Sequence, residues 1–245
     1  MTGGSDGIGL AIAEALLREG AELCIIGRNP EKLARARDQL GAEVGLAVRT
    51  DLATAEGIEE VVQNIAGTGK SLDVLIKQCC HRRRGPVRPC HSGAIRICAI
   101  AQPRSTILPD TKIAAAPGSA RSIHFQHILV FRQQDDPGTN HERLLTHQGR
   151  LEFPDEGACI RAGPRGIRVN AIAPGSVDTP MRRKSVEAMT EERQTELRRY
   201  VERSYPLGRI GVPSDLGGIA VFLASQEAAW VTGSIFAIDG GFTAG

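Results

Sequence analysis

Aromatic side chains are scarce in this sequence, with two tyrosines, one tryptophan and six phenylalanines among 245 residues. Both tyrosines, Tyr200 and Tyr205, lie towards the C-terminal end. With no aromatic platform near it, the Arg82-Arg83-Arg84 cluster does not read as a single-strand nucleic-acid patch. The formal net charge of +2 also falls short of the concentrated positive field that makes nucleic acid the expected partner. No apolar run approaches the ~20 residues of a membrane span, and the opening "MTGGSDGIGL" has neither the charged nor the apolar region of a signal peptide. A cytoplasmic protein without nucleic-acid or membrane partners is therefore expected. No internal repeat or Gly/Ser linker divides the chain, and 41% hydrophobic content suffices for one core. Residues 1–245 are expected to form a single domain.

The composition is uneven along that domain. All six histidines and five of the six cysteines fall between residues 79 and 159, where arginine also outnumbers lysine and prolines gather. Three blocks result: 1–76, 77–162 and 163–245. Cys79, Cys80, His81, Cys90 and His91 lack the spacing of structural zinc, whose paired ligands stand two to four residues apart. No metal site is expected.

The first block alternates strands with helices. "TGGSDGIGLAIAEALLREGAEL" places Gly3, Gly4, Gly7 and Gly9 ahead of Ile8, Ile12, Leu16 and Leu17, which recur at helical spacing. Glycines at a helix start let backbone N–H groups approach a pyrophosphate, whose charge the helix dipole favours. A short strand in "AELCIIG" leads to Gly27-Arg28-Asn29-Pro30 and a new helix start. "AEVGLAVRTDLA", "AEGIEEVVQNIA" and the strand Leu72 to Ile76 continue the alternation. Such βαβ units predict an α/β fold, a Rossmann-like doubly wound parallel sheet. A glycine loop alone is weak evidence, since many Gly-rich turns bind nothing.

The spacing Thr2-Gly3-x-x-x-Gly7-Ile8-Gly9, with "TDLA" at Thr50 to Ala53, resembles the short-chain dehydrogenase/reductase family, classical type. "GPRGIRVNAIAPGSVDTPM", "YPLGRIGVPSDLGGIAVFLAS" and "VTGSIFAIDGGFTAG" resemble that family's later segments in the same order, as in 3-oxoacyl-(acyl-carrier-protein) reductases. The resemblance implies a cofactor-binding half in 1–76 and a nicotinamide and substrate half in 163–245. It implies that Gly3, Ser5, Asp6, Gly7, Ile8 and Gly9 line the cofactor and that Asp51 and Leu52 hold the adenine. Pro174, Gly175, Val177 and Thr179 would close over the nicotinamide. Where the dinucleotide fingerprint usually has an acid for the ribose 2′-hydroxyl, this chain has Arg28-Asn29, and a guanidinium suits a 2′-phosphate. NADP is thus expected ahead of NAD, unless Arg28 is only a solvated surface charge. A small carbonyl or secondary alcohol would be the substrate, and the family is usually a homodimer or homotetramer. The charged run Arg182 to Arg203 reads as solvated helices near the substrate, and Tyr205 and Trp230 as packing residues.

The middle block departs from the pattern. Family chemistry needs a tyrosine with a lysine four residues later, assisted by an upstream serine and asparagine, yet residues 77–162 contain no tyrosine. No catalytic residue is assigned. Read one nucleotide out of phase, with synonymous codons free to choose, Lys77 to Cys80 becomes Asn-Asn-Ala-Ala, close to the family's turn. His141 to Gly149 becomes Met-Ser-Ala-Tyr-Ser-Leu-Thr-Lys, with the missing pair at family spacing. Ser105 to Ala115, Ile123 to Val130 and the stretch before Gly163 become family-like in that same phase and order. A compensated frameshift is expected, one base gained near Lys77 and one lost near Pro164, with 77–162 not native-like and the written chain inactive. The glycine loop also lacks the central strand of roughly 5 to 6 residues that should precede it, so a truncated first strand is expected. The alternative is a non-catalytic nucleotide-binding homologue of the same fold.

Overall fold

The computed structural model describes residues 1–41, 44–52, 54–70, 72–78, 126–130, 159–160, 164, 166 and 168–244, with the backbone alone for 126–130. Local signals set the elements of the first block. Helix α1 (Gly7–Arg18) buries Ile8, Ile12 and Leu16 on one stripe, and the left-handed Gly20 turns the chain back. Strand β1 (Cys24–Gly27) follows. Asn29 then caps α2 (Pro30–Leu40) by accepting a hydrogen bond from Lys32 N, with Pro30 in the first helical turn. Strand β2 (Leu46–Arg49) pairs in parallel with β1, Cys24 opposite Leu46. Thr54 caps α3 (Ala55–Gly67), accepting from Gly57 N at 3.0 Å.

Four further parallel strands complete the sheet: β3 (Leu75–Gln78), β4 (Gln126–Val130), β5 (Arg168–Pro174) and β6 (Ile235–Ile238), neighbours in that order. The residues ahead of the glycine loop, Met1–Gly3, join the two groups of strands. Ile26 N donates to Met1 O, Gly3 N to Ile26 O and Thr2 N to Ile76 O, at 2.9 to 3.1 Å. Gln78 N donates to the Thr2 hydroxyl at 3.0 Å. Across the molecule the order is therefore β2, β1, Met1–Gly3, β3, β4, β5, β6. The chain winds outward in both directions from Met1–Gly3, which makes the gap between that stub and β3 the topological switch point. The expected doubly wound α/β sheet is what the chain builds.

One strand boundary differs from its sequence expectation. β3 runs to Gln78 instead of stopping at Ile76, because Thr2 pairs with the chain on either side of Lys77. β5 extends to Pro174 because its last residues still face β6, Pro174 opposite Ile238. Within the middle block, residues 77–78 and β4 take places in this sheet. The Cys79 to His91 cluster, the Arg82 to Arg84 run and the out-of-phase motifs at His141 to Gly149 lie outside the described residues.

Helices α4 (Pro180–Glu187) and α5 (Glu191–Ser204) are the expected solvated pair, capped by Thr179 and Thr190, with Leu197 the only residue they bury. A 3-10 turn (Pro213–Leu216) leads into α6 (Gly217–Ala224). A Cβ at Gly217 would stand 2.8 Å from that of Ala15, so the glycine lets α6 lie directly on α1. Ile12, Ile25, Ile76, Ile172, Leu216 and Leu223 form the shared core. The buried Arg168 of β5 spans the end of α6, donating to Leu223 O at 2.9 Å, Ser225 O at 3.0 Å and Val231 O at 3.2 Å. Asn170, also buried, donates to Val231 O and accepts from Ser234 N. Tyr205 is a core residue as expected, but Trp230 is not: it is 99% exposed at the tip of the loop these two side chains hold. The hydrogen bonds fix the loop backbone without burying the indole.

Candidate functional site

All strands are parallel, so the loops that follow them open on one edge of the sheet, where ligands bind in open α/β folds. Four of the expected segments meet there. In the first, Gly3 and Gly7 have φ of +68° and +54°, conformations that side-chain-bearing residues seldom adopt. A Cβ at Gly9 would run into the Gly3 carbonyl and Gln78 Oε1, and one at Gly7 would lie 3.3 Å from Thr179 Cγ2. The glycine loop thus touches both the end of β3 and the turn after β5.

Asp6 stands at the N-cap of α1 but does not cap it. Its carboxylate instead accepts from Lys32 Nζ at 2.5 Å, across to α2. Ser5 faces the end of β1, where a Cβ at Gly27 would come within 3.2 Å of its hydroxyl. Arg28 is exposed beside it and forms no ion pair among the described residues. Asn29 is committed to capping α2, holding Lys32 N at 2.8 Å. One strand further out, Thr50 N donates to Gly27 O at 3.2 Å and Asp51 O accepts from Thr54 N at 3.1 Å. Leu52 packs against Ile26, Val48 and Val61.

The turn after β5 is rigid. Gly175 N donates to Ile238 O, and its bare Cα faces Asp239, which a Cβ would meet at 2.9 Å. Ser176 N donates to the Tyr205 hydroxyl at 3.2 Å, while Ser176 O accepts from Gly211 N and Asp178 N donates to Gly211 O, both at 2.8 Å. Pro174 and Val177 are buried, and Thr179 Oγ1 accepts from Arg182 N to cap α4. The side chains of Ile8 and Val177 point into the core, so what these positions offer a ligand is backbone. Two residues that sequence reasoning passed over join the site, Lys32 and Gln78. A lysine in the first turn of a helix, where acids are favoured, was the signal for Lys32.

The arrangement fits a dinucleotide. Backbone without Cβ atoms and uncapped N–H groups at the start of α1 make a cradle for a pyrophosphate, and the neighbouring turn closes it. Residues 1–98 match the short chain dehydrogenase model, and residues 157–243 match the model described as enoyl-(acyl carrier protein) reductase. A galactitol 2-dehydrogenase (L-tagatose-forming) from Cereibacter sphaeroides is 30% identical over 99% of this chain and 93% of its own length. The chain belongs to the short-chain dehydrogenase/reductase family. Among its relatives, the 3-oxoacyl-(acyl-carrier-protein) reductase of Chlamydia muridarum is also 30% identical, over 98% of this chain and 95% of its own. A solved structure from Beutenbergia cavernae, assigned as an NAD(P)-dependent gluconate 5-dehydrogenase with NADP bound at low occupancy, superposes with a TM-score of 0.70. It is 27% identical and the match covers 100% of this chain and 96% of that one. Members of the family are oxidoreductases, and among the described residues no helix is long and apolar enough to cross a membrane.

Proposed function

We propose that this protein is an NADP-binding member of its family whose reaction interconverts a small-molecule carbonyl and a secondary alcohol. The observation that carries it is the meeting of Gly7 with Thr179 at the switch-point edge, beside an exposed Arg28. Gly3, Gly7 and Gly9 present bare backbone to the pyrophosphate, the α1 N-terminus supplies N–H donors, and Arg28 recognises the 2′-phosphate. Asp51 and Leu52 flank the adenine, and the Pro174 to Thr179 turn bounds the nicotinamide. When bound, the cofactor supplies or accepts the hydride. A positioned acid near pH 7 must move the proton, and the written chain has no tyrosine followed four residues later by lysine. Tyr205 cannot serve, being 2% exposed with its hydroxyl on Ser176 N.

The written chain therefore binds cofactor without turning over. Relatives that act on a polyol and on carrier-linked 3-oxoacyl groups support a CH–OH or carbonyl substrate class and no finer choice. A cytoplasmic setting and a homodimer or homotetramer accord with the family. A second reading, a non-catalytic nucleotide-binding homologue, draws on the same missing pair. Restoring the middle block separates them, since only a damaged enzyme regains turnover.

The cofactor assignment is tested by titrating the purified chain with NADPH and NADH and following nicotinamide fluorescence. NADPH is expected to bind at least tenfold more tightly, the scale of one charge-assisted contact. Arg28→Glu should abolish that preference while leaving NADH binding intact. Equal affinities in the parent chain would overturn the NADP assignment.

A further inference from the structure

We propose that Lys32 is a second cation of the 2′-phosphate site, held by Asp6 until the phosphate arrives. The proposal rests on the NADP reading and adds a selectivity residue to it. Lys32 sits in the first turn of α2, where the helix dipole favours anions and works against a cation. Its backbone is fixed there by the Asn29 cap, one residue from Arg28. Its ammonium reaches out of the helix to Asp6 Oδ2 at 2.5 Å. This ion pair joins the glycine loop, to which the pyrophosphate is assigned, to the start of α2, four residues after Arg28.

The pair is easy to exchange. Its side chains are 45% and 35% exposed, and ion pairs in such high-dielectric surroundings hold weakly. A 2′-phosphate carries close to two negative charges against one on Asp6, and it accepts more hydrogen bonds. Lys32 therefore leaves Asp6 for the phosphate when NADP binds. With NAD, which brings no such anion, Lys32 stays on Asp6. Selectivity then arises from a partner exchange as well as from the guanidinium of Arg28.

Calorimetric titration of the full chain with adenosine 2′,5′-bisphosphate and with 5′-AMP reads this directly, independent of turnover. Lys32→Gln is expected to weaken bisphosphate binding about tenfold and to leave 5′-AMP within about twofold. Lys32→Arg should restore most of the loss. Asp6→Asn, which releases Lys32 and removes a carboxylate, should tighten the bisphosphate severalfold. Bisphosphate affinity unchanged in Lys32→Gln, in a parent chain that prefers bisphosphate to 5′-AMP, overturns the role of Lys32 and leaves the NADP reading standing. Equal weakening of both probes also overturns it, because Lys32 would then only strap the two loops together. A parent chain that does not distinguish the probes overturns the NADP reading itself.

Discussion

Tyr205 serves the core and the site at once. Its ring stacks on Phe242 with centroids 5.0 Å apart, and its hydroxyl accepts from Ser176 N in the turn after β5, which is proposed to bound the cofactor. Ser176 is itself buried, so no water can replace that acceptor. Tyr205→Phe keeps the stacked ring and strands the Ser176 N–H, at a cost of about 1 to 3 kcal/mol. A thermal melt should fall by several degrees, at about 2–4 °C per kcal/mol for a chain of this size. NADPH affinity should fall with it as the turn loosens; an unchanged melt and affinity would show that the hydroxyl does not hold the turn. Gly9 shows the opposite economy. Its lack of a Cβ lets the Gly3 carbonyl and Gln78 Oε1 close over the start of α1.

At the scale of elements, the C-terminal half is locked by a charge in the wrong place for a core. Arg168 lies on β5 with 7% exposure, and burial lowers its pKa from the ordinary arginine value. It is kept there by three carbonyls, those of Leu223 and Ser225 at the C-terminal end of α6, where carbonyls lack an intrahelical partner, and that of Val231 in the loop beyond. Replacing a buried ion pair by a hydrophobe is often harmless because both charges go. Here the partners are backbone and stay buried. Arg168→Met should therefore cost about 2 to 3 kcal/mol, read as a lower urea midpoint, with faster amide exchange across residues 225 to 234. Unchanged exchange there would show that Asn170 alone holds the loop. These contacts also mark what was legible in the sequence. The helix start at Asn29-Pro30 is legible because a cap acts within three residues, and the strand–helix alternation announces the sheet, whereas the caps at Thr54, Thr179 and Thr190 emerge only in the structure. The glycine loop and the turn after Pro174 were readable as motifs for the same local reason. The bridge made by Met1–Gly3, the Asp6 to Lys32 pair and the Arg168 clasp join residues far apart in the chain, so no local pattern carried them. Trp230 was misread because one aromatic side chain has no period to reveal its face.

At the scale of the whole molecule, the fold and the chemistry separate. The sheet from β2 to β6 and the cofactor edge are assembled from residues 1–78 and 168–244 with β4 between them. The family matches, 1–98 and 157–243, span most of those two portions and also run into the middle block from both sides. What lies between is where the resemblance would put the family's tyrosine and lysine, and the sequence has no tyrosine followed four residues later by lysine. With the synonymous codons that the out-of-phase reading needs, removing one base near the Lys77 codon and adding one near the Pro164 codon would give Asn-Asn-Ala after β3 and Tyr-x-x-x-Lys in place of His141 to Gly149. Expressed beside the written chain, the rephased protein is expected to oxidise NADPH with members of a ketone panel, and the written chain is not. Changing the restored tyrosine to phenylalanine should remove turnover while NADPH binding persists, which ties the gain to the proton donor and not to better folding. Turnover by the written chain would refute the loss, and a clean read of the locus without a slip at either point would refute its cause. If the rephased protein binds NADPH but reduces nothing, the non-catalytic homologue becomes the better account. The proposed cofactor residues are the same in either case, because none of them lies between 79 and 167.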